Sequence, residues 1–251
     1  MKSIKALDRL RIICLSLLMI AGSAFAQTSE PTSQNVEAAP ASQATLTQEV
    51  SQPVIKKNYP RVKLKTNVGD IVLELYNDKA PKTVENFLRY VKKGQYNNTI
   101  FHRVIDNFMI QGGGMDVKMR EKPVDAPIVN EAKLASEQGL KNEIGTIAMA
   151  RMEDPNSARA QFYINVNNND FLDYQALADG DPVAIMRNGS SMTLPRRKAV
   201  ILAAGYTPFG KVTEGWETVE KIKSAPTSPL GIHQNVPNKP ITIISIQLLK
   251  N

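Results

Sequence analysis

Apolar and polar positions alternate with a period of two near the start of the patterned region: Val62 and Leu64 against Lys63 and Lys65, then Ile71, Leu73 and Leu75. Strand side chains point to opposite faces in turn, and Asn67-Val68-Gly69-Asp70 supplies a turn, so this stretch predicts a hairpin with one buried face. The period then changes. Pro81 suits the first turn of a helix, Val84, Phe87, Leu88 and Val91 fall at helical spacing, and Gly94 ends the run. A second helix is predicted from Glu214 to Lys223, with Val219 and Ile222 inward. Short β-type segments lie at Ile100 to Val104, Phe108 to Gln111, Gly145 to Met149 and Gln161 to Asn165. A last alternation places Ile244, Ile246 and Leu248 on one face and Ser245 and Gln247 on the other. Many short strands with two helices predict an all-β fold, a closed antiparallel barrel with the helices over its openings.

Upstream of residue 59 the pattern is absent. Residues 27–58 are dominated by Gln, Ser, Thr, Ala and Pro without an aromatic residue, which reads as a flexible linker. Residues 1–26 read as a secretory signal peptide. Lys2, Lys5, Arg9 and Arg11 precede the apolar run Ile12 to Ala21, and Ala24-Phe25-Ala26 forms a small-x-small cleavage site. The expected folded domain is 59–251, exported and periplasmic, with no integral membrane span once the signal is cleaved.

Composition narrows the function. At 42% hydrophobic and 22% charged residues the chain is of ordinary globular type. Its single cysteine, Cys14, lies in the predicted signal and excludes an internal disulfide framework. No metal-ligand spacing, nucleophile elbow or phosphate-binding glycine loop is present, so no metal and no cofactor is expected. The formal charge is +7; taking the signal's four basic residues and one acidic residue away from 31 and 24 leaves 27 against 23, a net +4. The only basic cluster is Arg196-Arg197-Lys198, without interleaved aromatics, and no nucleic-acid partner is expected.

The stretch from Phe101 to Gly114 carries the candidate chemistry. With strand alternation Phe101 and Arg103 share one face and Met109 and Gln111 another, so an arginine, a glutamine, a thioether and aromatic rings line one concave surface. His102 then points away from Arg103 and is structural. An ordinary alternative stands beside this: core for Phe101, Phe108 and Met109, a surface charge for Arg103, and a simple turn for Gly112-Gly113-Gly114.

Together with Gly145-Thr146-Ile147-Ala148-Met149-Ala150-Arg151, Ala160-Gln161-Phe162-Tyr163-Ile164-Asn165, Asp170-Phe171-Leu172-Asp173 and Phe209-Gly210-Lys211-Val212, this stretch closely resembles the cyclophilin family of peptidyl-prolyl cis-trans isomerases, particularly its exported bacterial members. The resemblance runs from about Val62 to Leu248. It implies an eight-stranded barrel capped by two α-helices and an enzyme acting on Xaa-Pro bonds of unfolded or exposed polypeptide segments. By the same resemblance Arg103 is catalytic with Gln111 beside it. Phe108, Met109 and Tyr163 wall the proline pocket, Ala150 and Arg151 form the edge along the substrate backbone, Phe171 and Leu172 close the pocket, and Tyr206 stands where many relatives carry histidine. Tyr163 replaces the usual Phe, so its hydroxyl needs a partner. A monomer is expected. The alternative is a non-catalytic chaperone or binding module for Pro-containing segments. A long loop near 174–205 is expected to act as a flap that modulates client binding.

Overall fold

The computed structural model describes residues 58–250. The expected signal peptide and nearly all of the expected linker lie outside the described residues. Eight strands form the barrel: β1 (Arg61–Thr66), β2 (Gly69–Leu75), β3 (Thr99–Ile105), β4 (Met109–Gly112), β5 (Thr146–Met149), β6 (Phe162–Asn165), β9 (Pro208–Glu214) and β12 (Thr242–Leu248). Two further hairpins are β7 (Val183–Arg187) with β8 (Ser190–Leu194) and β10 (Thr227–Leu230) with β11 (His233–Pro237). The helices are α1 (Pro81–Lys92), α2 (Ala132–Glu137), α3 (Arg196–Ala203) and α4 (Trp216–Lys223). The barrel closes in the order β1-β12-β3-β4-β6-β5-β9-β2, with every pairing antiparallel.

Alternation builds the interior. Val62, Leu64, Ile71, Leu73, Ile110, Ile147, Phe162 and Ile164 are fully buried in one cluster, to which α1 adds Phe87 and α4 adds Val219 and Ile222. Phe87 meets the rings of Phe162, Tyr96 and Phe209 at centroid distances of 5.7, 5.1 and 5.2 Å. Two helices thus seal the barrel core as expected, but the described residues contain four. The first turn of α1 has no side-chain cap of its own. The Glu131 carboxylate takes its place, accepting from the Lys82 and Thr83 backbone N–H groups and the Thr83 hydroxyl, so orphan donors and the positive end of the helix meet one anion.

Three expectations change. In β12 a register shift against β1 turns the alternation over: Ile243 and Ile246 are buried, whereas Ile244 and Leu248 are exposed. The eight barrel strands include one without a counterpart among the expected segments, β9, whose sequence has no clean period. The segment expected as a loop near 174–205 is folded: β7, β8 and α3 enclose a small core of Val183, Ile185 and Ala199, with Leu177, Leu194 and Leu202 against it. Arg196 ties the start of α3 to this unit: its Nη1 donates to the Ala178 and Gly180 carbonyls and its backbone N–H to Asp181.

Candidate active site on the outer wall of the barrel

Strand register assembles the site. Arg103 of β3 sits opposite Gln111 of β4, Gln111 opposite Tyr163 of β6, and Tyr163 opposite Ala148 of β5. Directly opposed residues share a face, so these four stand in a row across the outer wall. Beside the row lies a second apolar cluster: Met109, Ala148, Tyr163 and Leu172 are buried, with Ile105, Phe108, Ala150, Phe171 and Tyr206 packed against them. Of the ten site residues expected from sequence, nine fall in this cluster or the adjoining row; the tenth, Arg151, borders it through the Tyr206 ring.

Phe101 does not belong to this face. Phe101 pairs with Gly112 and Arg103 with Gln111, so β3 spends one extra residue, His102, against successive residues of β4. That bulge breaks the two-residue period: Phe101 enters the barrel core while Arg103 faces the outer wall. It also overturns the placement of His102 away from the site. Its ring is buried near the Gln161 side chain and the Ile100 backbone, and its Nδ1 has no hydrogen-bond partner among the described residues. Gln161 in turn accepts from Gln111 Nε2 at 2.9 Å. Gly114 is required by this arrangement, because a Cβ there would lie 2.4 Å from Gln161 Cγ.

Burial, reinforced by the nearby His233, lowers the His102 pKa to about 4. The imidazole is therefore neutral at physiological pH and takes no proton in turnover. An unfolded chain with an ordinary histidine binds the proton first, so His102 makes the fold less stable as pH falls from about 6.5 towards 4, by roughly 3 kcal/mol in all. We expect melting curves of the His102→Gln variant to lose less stability than wild type between pH 7 and pH 4.5. Parallel acid profiles for the two proteins would contradict this.

The hydroxyl of Tyr163 has its partner: it donates to Asn142 Oδ1 at 2.8 Å. Burial holds this phenol well above its usual pKa, so it remains a donor. Asn142, 1% exposed, links the pocket floor to its lid. Its Nδ2 donates to the Leu172 and Tyr206 carbonyls and to Asp173 Oδ1. Asn165 and Asn169 extend the network to Phe108, whose carbonyl accepts from Asn169 Nδ2 at 2.9 Å. The Phe108 ring is stacked on Phe171, centroids 5.6 Å apart at 25°. Tyr206 lies edge-on to Tyr163 at 6.0 Å and is covered by the Arg151 guanidinium at 4.5 Å. Gly205 has a φ of +66°, and a Cβ there would meet the Tyr174 backbone N at 2.6 Å, so only glycine lets this turn approach the lid. Sequence reasoning missed Ile105, Asn142 and Gln161 as parts of the site. For Gln161 the signal was its place beside Phe162 and Tyr163; for Asn142 there was none in its own segment.

A closed eight-stranded antiparallel barrel with an arginine, a glutamine and an aromatic-rich apolar cluster on its wall defines the class of protein. The model of the family described as cyclophilin type peptidyl-prolyl cis-trans isomerase/CLD matches residues 61–248. The chain belongs to this family and is a peptidyl-prolyl cis-trans isomerase. It is 49% identical over 187 residues to a peptidyl-prolyl cis-trans isomerase of Acinetobacter baylyi, covering 74% of this chain and 84% of that protein. It is 46% identical over 181 residues to peptidyl-prolyl cis-trans isomerase B of Escherichia coli, covering 72% of this chain and 94% of the relative. A crystal structure of a cyclophilin type isomerase of Cryptosporidium parvum, obtained in the presence of the dipeptide Ala-Pro, superposes with a TM-score of 0.52 at 27% identity, covering 76% of this chain and 99% of that one. Among the described residues no helix is long and apolar enough to cross a membrane, and no group of three or more His, Cys, Asp and Glu side chains is placed to hold a metal ion.

Proposed function

We propose that Arg103 drives the isomerisation by stabilising the twisted imide, and that the clients are exported proteins whose folding waits on Xaa-Pro bonds. Rotation about a peptide bond is opposed by about 18–20 kcal/mol because the nitrogen lone pair is delocalised into the carbonyl. In the twisted state that lone pair is localised on the prolyl nitrogen and accepts a hydrogen bond. A guanidinium, permanently charged and rigid, donates to it more strongly than to the planar ground state. Met109, Phe108, Tyr163 and Leu172 grip the ring and exclude water, which strengthens that field. Gln111, held by Gln161, steadies the substrate carbonyl, and Ala150 and Arg151 flank its backbone. Lowering the barrel's substrate barrier by about 5 kcal/mol corresponds to an acceleration on the order of 10⁴-fold. The observation that carries this reading is the Arg103-Gln111-Tyr163 row beside the apolar cluster. The Ala-Pro dipeptide of the Cryptosporidium parvum crystals supports the substrate class.

Export is supported by the charged, apolar and small-x-small order of residues 1–26, and by the absence of cysteine after Cys14, which frees the remaining chain from disulfide exchange in an oxidising compartment. Expressing the full chain in a Gram-negative host tests it. The expected result is a product in the periplasmic fraction that begins at Gln27 and speeds the proline-limited refolding phase of a secreted protein. A full-length product confined to the cytoplasm would contradict export. A cleaved product that leaves the slow phase unchanged would contradict the folding role.

A further inference from the structure

Two arginines at the rim of the pocket lack a carboxylate. Arg151 gives Nε to the Gly205 carbonyl, Nη1 to the Met152 and Glu153 carbonyls and Nη2 to the Ile201 carbonyl, and it covers Tyr206. Its donors are occupied by neutral oxygens, so it is a clasp that leaves its charge uncancelled. Arg187, at the end of β7, lies 5.4 Å over the Phe171 ring and donates Nη1 to the Phe171 carbonyl at 2.7 Å. No other hydrogen bond of its guanidinium is present among the described residues, and the remaining nitrogens are not sealed from solvent.

Every ion pair among the described residues lies elsewhere, from Arg61 with Glu214 to Lys223 with Asp106. Asp154 acts on Arg151 only from beyond ion-pair distance, and Asp173 is committed to Asn142. Desolvation is the main cause that lowers the pKa of both arginines, and Arg151 adds to it at Arg187. Two half-buried cations that repel one another are costly without an anion, and here they flank the rings that close the proline pocket.

We infer that Arg187, reinforced by Arg151, selects substrates that carry a glutamate or aspartate side chain close to the proline, the carboxylate taking the open N–H groups of Arg187. The inference rests on the isomerase reading of the same pocket and adds to it a substrate class. Arg187 comes from the folded 174–205 segment, so that segment acts as a specificity element. A planar guanidinium over an aromatic ring is pre-set for a carboxylate, because the ring holds one face and leaves the N–H edge free.

The test is a set of hexapeptides with one proline, carrying Glu, Gln or Lys in turn at each of the two positions before and after it, assayed for isomerisation. For wild type, Glu exceeds Lys in kcat/KM by about three- to tenfold at one position at least. Raising NaCl from about 20 mM to about 0.5 M brings that ratio towards one. Arg187→Gln brings it towards one at low salt, whereas Arg187→Lys keeps part of it. Equal rates for Glu and Lys at all four positions, a ratio insensitive to salt, or a ratio that survives Arg187→Gln would each overturn the inference. No acceleration of any peptide would instead overturn the isomerase reading, so the two failures are distinct.

Discussion

Replacing Arg103 with alanine is expected to lower kcat/KM for an Xaa-Pro tetrapeptide on the order of 100- to 1,000-fold, while peptide affinity changes by less than about threefold. The split follows from where the charge acts. In the planar ground state the prolyl nitrogen is a poor acceptor, so on the proposed mechanism the guanidinium gains its interaction only as the bond twists, and its loss falls on the barrier. On the same reading, Phe108 and its apolar neighbours contact proline in both states. Phe108→Ala, which also removes the ring stacked on Phe171, therefore loses binding as well as rate. Arg103→Lys keeps a charge without the rigid fork and falls between wild type and alanine. The measurements are protease-free isomerisation rates and peptide titration by NMR line shape. Should Arg103→Ala weaken binding in proportion to rate, the arginine would be an anchor and not a transition-state group.

Asn142→Leu is the second large effect, and it falls on stability. The substitution keeps the branched shape but leaves the Tyr163 hydroxyl without its acceptor and the Tyr206 carbonyl without its donor, while the Leu172 carbonyl keeps only the Tyr206 N–H, all around a side chain 1% exposed. Unpaired buried polar groups cost about 1–3 kcal/mol each, so a loss of roughly 3–5 kcal/mol is expected, seen as a fall in Tm of about 10 °C. Tyr163→Phe, made in the same chain, removes the stranded hydroxyl and recovers part of the loss. Thermal melts of the four proteins in the cycle measure this coupling. Additive losses would show that Asn142 and Tyr163 do not act through their hydrogen bond.

The β1-β2 hairpin and α1 were legible because each buries one face, and burial writes its period into the sequence. The Phe101-His102-Arg103 arrangement was not legible by period, since a bulge adds a residue without changing composition, and strict alternation put Phe101 on the wrong side. The candidate residues themselves were recognisable through the spaced motifs that resemble the family. Asn142 was hidden because its partners, Tyr163, Leu172 and Tyr206, are brought to it only by the closed barrel. The 174–205 segment did carry a signal: Val183 and Ile185 alternate with Ala184 and Met186, and Asn188-Gly189 is a favoured hairpin turn, both residues having positive φ. Its core is too small for alternation alone to announce a folded unit.

The closure of the barrel bears on how such a protein survives its own clients. Each barrel strand is paired on both sides, so an unfolded chain arriving at the outer wall meets no open ladder of N–H and C=O groups to extend. On the proposed reading, recognition is left to the side chains around one proline and to the short Ala150-Arg151 segment beside the substrate backbone. A client can be turned about a single bond and let go, without annealing to the enzyme as one more strand.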